Sequence, residues 1–168
     1  MKVAVIALFF AASVFAQNPF TALPAACGSG SVDFNVKLDK SQHTLAQPEA
    51  GKARIYFIQE VNTDLLNSFT TGRLGIDGAW VGANKHNSWF SVTIEPGEHH
   101  LCASMWYPRL EQHVALAHLT AEPGKVYYYR LGIIETHNIT DRKLDPIDSD
   151  EGKYLIASYP LSVSQSRK

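Results

Sequence analysis

The chain is predicted to be all-β, an antiparallel β-sandwich of about seven strands with a short C-terminal helix. Three observations predict it. An apolar run, Glu-Pro-Gly and a second apolar run occur twice, turning at Glu95-Pro96-Gly97 and at Glu122-Pro123-Gly124. Proline presets φ at the first central position of a turn and glycine supplies positive φ at the second, so each copy reverses the chain between two strands. Asp77-Gly78 lies between two further apolar runs, and this dipeptide suits a type I′ hairpin because both central residues need positive φ. Finally, Val32, Phe34, Val36 and Leu38 alternate with Asp33, Asn35 and Lys37, the period-2 pattern of a half-buried strand. A closed barrel is the competing architecture for these signals.

Taken in order, Lys2 and the apolar run Val3 to Ala12 followed by Val14-Phe15-Ala16 read as a signal peptide over residues 1–16, cleaved near Ala16. A run of roughly a dozen apolar residues falls short of the ~20 needed to span a bilayer. Residues 17–31 are small and aperiodic, with Pro19, Pro24, Gly28 and Gly30, and form a leader or linker. The sandwich domain is placed at 32–135. After its first strand comes a polar connection from Ser41 to Gly51, then a strand Ala53 to Ile58 rich in aromatic and β-branched residues. Asn62 to Thr71 is irregular, with a helical turn and an edge strand both open. The hairpin Arg73 to Gly82 and the two Glu-Pro-Gly units follow. Because type II geometry splays strands, those units either form hairpins or arch the chain from one sheet to the other. Gly132-Ile133-Ile134 is expected to end the β region. The C-terminal segment, 136–168, is expected to hold one short helix capped by Asp148, with Glu151 three residues on and Leu155 and Ile156 inward, stopped before Pro160. A polar, frayed tail follows.

Composition narrows the function classes. With 15 basic and 16 acidic side chains in 168 residues, one of the lysines being Lys2, there is no basic field for nucleic acid or anionic lipid. The 45% hydrophobic share is ample for one core, and no later stretch is long enough for a transmembrane anchor. The expected location is secreted or periplasmic. Export would bring Cys27 and Cys102 into an oxidising compartment with no other cysteine to compete, so a disulfide is expected. Closing a loop of about 75 residues contributes about 4 kcal/mol in the chain-entropy model.

The search for chemistry yields little. Gly-x-Ser-x-Gly, a phosphate-binding Gly-rich loop and His-Glu-x-x-His are all missing from the sequence, so no catalytic residue and no cofactor is assigned. His99 and His100 are adjacent in a strand and point to opposite faces, as do His113 and His118 if they share one strand. Only His86, His99 and His118, from different strands, could meet, and no metal is assigned. Asp145, Asp148, Asp150 and Glu151 are acidic enough for calcium, but they lack the order of a calcium loop, and helix capping uses the same residues. The aromatic side chains are the candidate ligand-binding set: Trp80, Trp106, Tyr107, Tyr127 and Tyr129. Tyr127, Tyr128 and Tyr129 are consecutive and cannot all face inward, so that strand offers rings to a ligand or interface, or else covers a sheet face beneath the C-terminal segment.

Several of these motifs recur in order: Gly51-Lys52-Ala53 into Ile55-Tyr56-Phe57, Ile76-Asp77-Gly78-Ala79-Trp80-Val81-Gly82, Phe90 through Pro96-Gly97-Glu98-His99 to Leu101, and Pro123-Gly124-Lys125-Val126-Tyr127-Tyr128. The segment from Gly51 to Leu131 thereby resembles a bacterial secreted family known as domain of unknown function 2846, and is similar to small Pro-Glu-Gly-Ala-type sandwich domains. The resemblance implies a small sandwich in a bacterial envelope or secreted setting and brings no activity with it. Export, a compact sandwich and an aromatic strand lead to a non-catalytic binding or interaction module, its partner an envelope protein or a glycan. An exported hydrolase with a site assembled from distant strands and a structural subunit joined through a sheet edge are the alternatives. Oligomeric state is not legible.

Overall fold

A computed structural model describes residues 24–29, 32–60, 71–105, 113–136 and 139–167. The predicted signal peptide, most of the Asn62 to Thr71 segment, Trp106 and Tyr107 lie outside the described residues. The described elements are ten strands and one helix: β1 (Asp33–Asp39), β2 (Ala53–Gln59), β3 (Gly72–Ile76), β4 (Ala79–Asn84), β5 (Ser88–Ile94), β6 (Gly97–Met105), β7 (His113–Ala121), β8 (Val126–Thr136), β9 (Ile139–Ile147), α1 (Ser149–Ser158) and β10 (Leu161–Arg167). They form a sandwich of a six-stranded sheet, β1-β10-β5-β2-β8-β9, and a four-stranded sheet, β4-β3-β6-β7. The fold class is as the sequence predicts, and the barrel is not formed.

The turn chemistry explains the topology. Asp77 and Gly78 both take positive φ, 50° and 85°, and close the β3–β4 hairpin as a type I′ turn requires. Gly124 has φ 74° and the Lys125 N–H donates to the Glu122 carbonyl, the signature of a type II turn with Pro123 and Gly124 at its centre. Both Glu-Pro-Gly units arch between sheets: β5 and β8 belong to the larger sheet, β6 and β7 to the smaller. This is the splayed alternative rather than a hairpin. It also separates sequence neighbours, and as a consequence β2 pairs parallel with β8 and β10 meets β5 in parallel. The sandwich is therefore not purely antiparallel.

The C-terminal expectations need two corrections. Gly132-Ile133-Ile134 does not end the β region, since β8 runs to Thr136 and pairs with β9 from Tyr128–Ile147 to Thr136–Ile139. In β9 the pattern is sparse: Arg142 and Leu144 are buried while Lys143 and Asp145 are exposed, as on an edge strand with few apolar residues. The tail is not frayed either. Leu161 to Arg167 forms β10, paired along its length with β1. Its serines satisfy the open edge of β4: Ser162 Oγ accepts from Lys85 N and Ser164 Oγ from Ala83 N, each at 3.3 Å. Polar side chains thus do in this strand what apolar ones do in the others, which is why it reads as tail.

Ile55, Phe57, Phe90, Tyr129 and Leu131 from one sheet pack on Leu74, Leu101, Met105 and Leu119 from the other to form the main core. A second cluster, Tyr56, Ile58, Trp89 and Tyr128, lies on the outer face of the larger sheet under Leu155 and Ile156 of α1. Asp148 caps α1 as predicted, its carboxylate accepting from Asp150 N (2.8 Å) and Glu151 N (2.9 Å). A Cβ at Gly152 would come closer than 3.0 Å to the Tyr128 ring, so the absence of a side chain there lets the helix settle onto the sheet. Cys27 and Cys102 are disulfide-bonded with Cα atoms 5.2 Å apart. The bridge ties residues 24–29 across the β3–β4 hairpin, where the Ala26 carbonyl accepts from Gly78 N at 3.2 Å.

Candidate functional site

The predicted aromatic set does not converge among the described residues. Trp80 belongs to a small cluster with Phe34, Val36 and Ala83, while Tyr127 and Tyr129 pack on the main core. Trp80 Nε1 donates to the Ser29 carbonyl (2.7 Å), the Arg73 guanidinium lies 4.6 Å from its ring centre, and Gly28 packs against its Cδ1 and Cγ. Its polar edge and part of its ring surface are thus committed internally. Tyr129 is buried and its hydroxyl donates to the His118 carbonyl (3.2 Å). Tyr127 is half-buried, its hydroxyl accepting from Glu122 N at 2.9 Å. Tyr128 points the other way and stacks on Tyr56, ring centres 5.4 Å apart, beneath α1. Tyr128 thereby covers the outer sheet face beneath the C-terminal helix.

The histidines are also dispersed. His100 and His118 face each other across β6 and β7 with ring centres 5.3 Å apart, but among the described residues no group of three or more His, Cys, Asp or Glu side chains is placed to hold a metal ion. His99 Nδ1 meets Asp77 Oδ2 at 2.7 Å and its Nε2 faces the Glu95 carbonyl at 2.8 Å. Both nitrogens are occupied, leaving none for a serine hydroxyl, which a hydrolytic triad would need. Burial pushes the Asp77 carboxyl up, yet hydrogen bonds from His100 N and from His99 outweigh it and hold its pKa below the ordinary carboxylate value. The acidic segment is engaged too: Glu151 pairs with Arg130, and Asp150 lies 3.7 Å from Lys153.

Two openings among the described residues bear on a site. The larger, about 610 Å³, lies beside Trp80 between Gly28, Phe34 and Arg167, and two of its polar side chains are already engaged, Arg167 with Asp33 (3.3 Å) and Trp80 with the Ser29 carbonyl. The smaller, about 460 Å³, opens between β5 and β10. The ladder joining these strands stops at the Leu161–Trp89 pair, because β10 leans away to bring Ser162 and Ser164 onto β4. The resulting cleft is lined by Val81, Ser91, Val92, Ser162 and Val163, and by Gln42, Thr44 and Ala46 of the polar connection. Trp89 N donates to the Pro160 carbonyl (3.2 Å) on the β10 side. Main-chain direction alternates along a strand, so the N–H and C=O groups of Ser91 and Thr93 point the same way, into space that β10 has left. Past the Leu161–Trp89 pair no strand is in register with them on this side among the described residues, and no turn or loop bond reaches them. This cleft, with unspent hydrogen-bonding groups, is the candidate site.

The sequence marks none of these residues as a site residue. The signal was there in part: Leu161-Ser162-Val163-Ser164 alternates with period 2, although a one-face-serine strand resembles a polar tail.

The model for the protein family of unknown function DUF2846 matches residues 49–142. The chain belongs to this family. The DUF2846 match runs from the connection before β2 to the middle of β9, so the β5 wall of the cleft lies within it and the β10 wall lies beyond it. No curated protein and no solved structure matches the chain. Among the described residues, no helix is long and apolar enough to cross a membrane.

Proposed function

We propose that this DUF2846 protein is an exported, non-catalytic interaction module of the bacterial envelope, and that it holds its partner in the cleft between β5 and β10. The observation that supports this reading is the cleft itself, a concave site inside a sheet whose lining combines apolar side chains with hydroxyls and unpaired main chain. Export is supported by the apolar N-terminal run of the sequence and by the Cys27–Cys102 bridge, which suits an oxidising compartment. The partner is an envelope protein or a glycan.

The test is capture from solubilised envelope fractions, together with a glycan array, using the mature chain and a Val163→Trp variant. Val163 lines the cleft and is 45% exposed, so a larger side chain there narrows the mouth without entering the core. A partner retained by the native protein and by a Tyr154→Ala control, which alters a residue 70% exposed on α1, is expected to be lost with Val163→Trp. No binding on either platform, or binding indifferent to Val163→Trp, would overturn the reading.

A further inference from the structure

Resting on that reading, we infer that the ligand of the cleft is an extended polypeptide segment carrying an acidic side chain, which adds to the edge of β5 as a strand. The argument starts from the main chain. Ser91 and Thr93 together present two N–H donors and two carbonyl acceptors along one strand edge, and the Leu161–Trp89 pair marks where β10 ceases to use that edge. A row of alternating donors and acceptors at strand spacing is matched by another extended main chain. A sugar offers hydroxyls, but not that repeat. On its other side β5 is fully paired with β2, from Ser88–Gln59 to Ile94–Ala53, so the edge is held rigid and in register before any ligand arrives.

The side chains flanking this edge indicate what the segment carries. Phe90 and Val92 point into the sandwich and Ser91 and Thr93 point outward, toward Arg54 of β2. Arg54 donates to Ser91 Oγ (3.0 Å) and Thr93 Oγ1 (3.1 Å), and its Nε is buried without a partner. Glu49 reaches Thr93 Oγ1 at 3.4 Å, yet it makes no ion pair with Arg54. Among the described residues, therefore, Arg54 is a half-buried cation without an ion pair of its own, the Glu49 carboxylate lying beyond the Thr93 hydroxyl to which both are bonded. A strand laid beside Ser91 and Thr93 would set its outward side chains next to that guanidinium, where a carboxylate completes the pair. Its inward side chains would meet Val81, Val92 and the Ser162 and Ser164 hydroxyls, which favours small or β-branched residues on that face.

Hydrogen exchange on the mature full-length chain reads the edge directly. In the free protein the Ser91 and Thr93 amides are expected to exchange about a hundredfold faster than those of Phe90 and Val92, whose main chain faces β2. A library of linear peptides of random sequence is then selected against the immobilised protein. Selected peptides are expected to contain Asp or Glu, to slow exchange at Ser91 and Thr93 by at least about tenfold, and to bind about tenfold more weakly to Arg54→Gln. N-methylation of alternate peptide amides should abolish binding, and this change leaves the protein's own folding untouched. Slow exchange at Ser91 and Thr93 in the free protein would overturn the inference, as would peptides that leave both amides unprotected or a selection that yields none. If the cleft instead binds a glycan in a Val163-dependent way while no peptide is selected, the strand inference fails and the interaction reading stands.

Discussion

Tyr159 joins the helix to the sheet through three separate groups. Its N–H closes α1 on the Leu155 carbonyl (2.9 Å), its carbonyl accepts from Trp89 Nε1 (3.0 Å), and its hydroxyl donates to Glu60 Oε1 (3.1 Å). Burial, followed by the neighbouring Glu60 carboxylate, pushes the phenol from 10.0 up to about 12. The sign follows from linkage. Below pH 10 the phenol is neutral in both folded and unfolded chains, and nothing is lost. Above it the unfolded chain releases the proton while the folded one retains it until about pH 12, so stability falls across that window. Urea midpoints measured from pH 9 to pH 12 are expected to decline, and the decline should be shallower in Tyr159→Phe. An identical slope in the two proteins would show that Tyr159 does not titrate as described. Tyr56, Tyr128 and Tyr129 are also raised by burial, so some alkaline loss persists in the variant.

At the scale of elements, the strap over residues 24–29 shows how a segment without periodicity becomes part of a fold. It has no ladder of its own, and it is held by the Cys27–Cys102 bridge, by Ala26 on Gly78 and by Ser29 on Trp80. Cys102 lies in the middle of β6, fully buried and opposite Gly75 of β3, so the bridge anchors the strap to the most central part of the smaller sheet. Reduction should leave both sheets in place, because their ladders do not pass through the strap, and should lower stability by up to about 4 kcal/mol, the chain-entropy value for a loop of this size. Thermal melts followed by far-ultraviolet circular dichroism, with and without reductant, check both halves: the folded spectrum is expected to persist and the Tm to drop. An unchanged Tm would mean that the strap's hydrogen bonds alone hold it.

Across the whole molecule, β10 is the element on which closure depends. It supplies the pairing partner of β1, touches β5 at Trp89, and satisfies the β4 edge through Ser162 and Ser164. Loss of one strand would therefore strip β1 from the sheet and leave main-chain donors of β4 open, the kind of exposed edge that templates aggregation. Removal of residues 161–168 is expected to lower the Tm and to shift the protein toward large species in sedimentation, even though the removed residues are mostly polar. A truncated chain that stays monomeric with the native Tm would show that β1 and β4 close without it. The same element forms one wall of the candidate cleft, so stability and the proposed function share it.

The parts of this protein determined by its sequence are those set by local chemistry. Asp77-Gly78 admits one hairpin geometry, Asp148 and Glu151 mark a helix start, Val32 to Leu38 alternates, and two cysteines alone can pair only with each other. The family resemblance was legible for a similar reason, because it rests on turns and runs in a fixed order. What only the tertiary structure decided are pairings between distant segments. A Glu-Pro-Gly turn specifies a reversal but not which sheet receives the next strand, so the parallel β2–β8 pair and the two-sheet arching required the whole core to be assembled. The serines of β10 count as polar until the β4 edge is beside them. The aromatic residues look like a binding set because ring size is visible in a sequence, whereas their partners, Ser29, His118 and Glu122, are backbone groups that no residue type reveals. The cleft was invisible for the deepest reason: it arises where a ladder stops, and hydrogen bonds left unmade by the main chain leave no mark on side-chain identity.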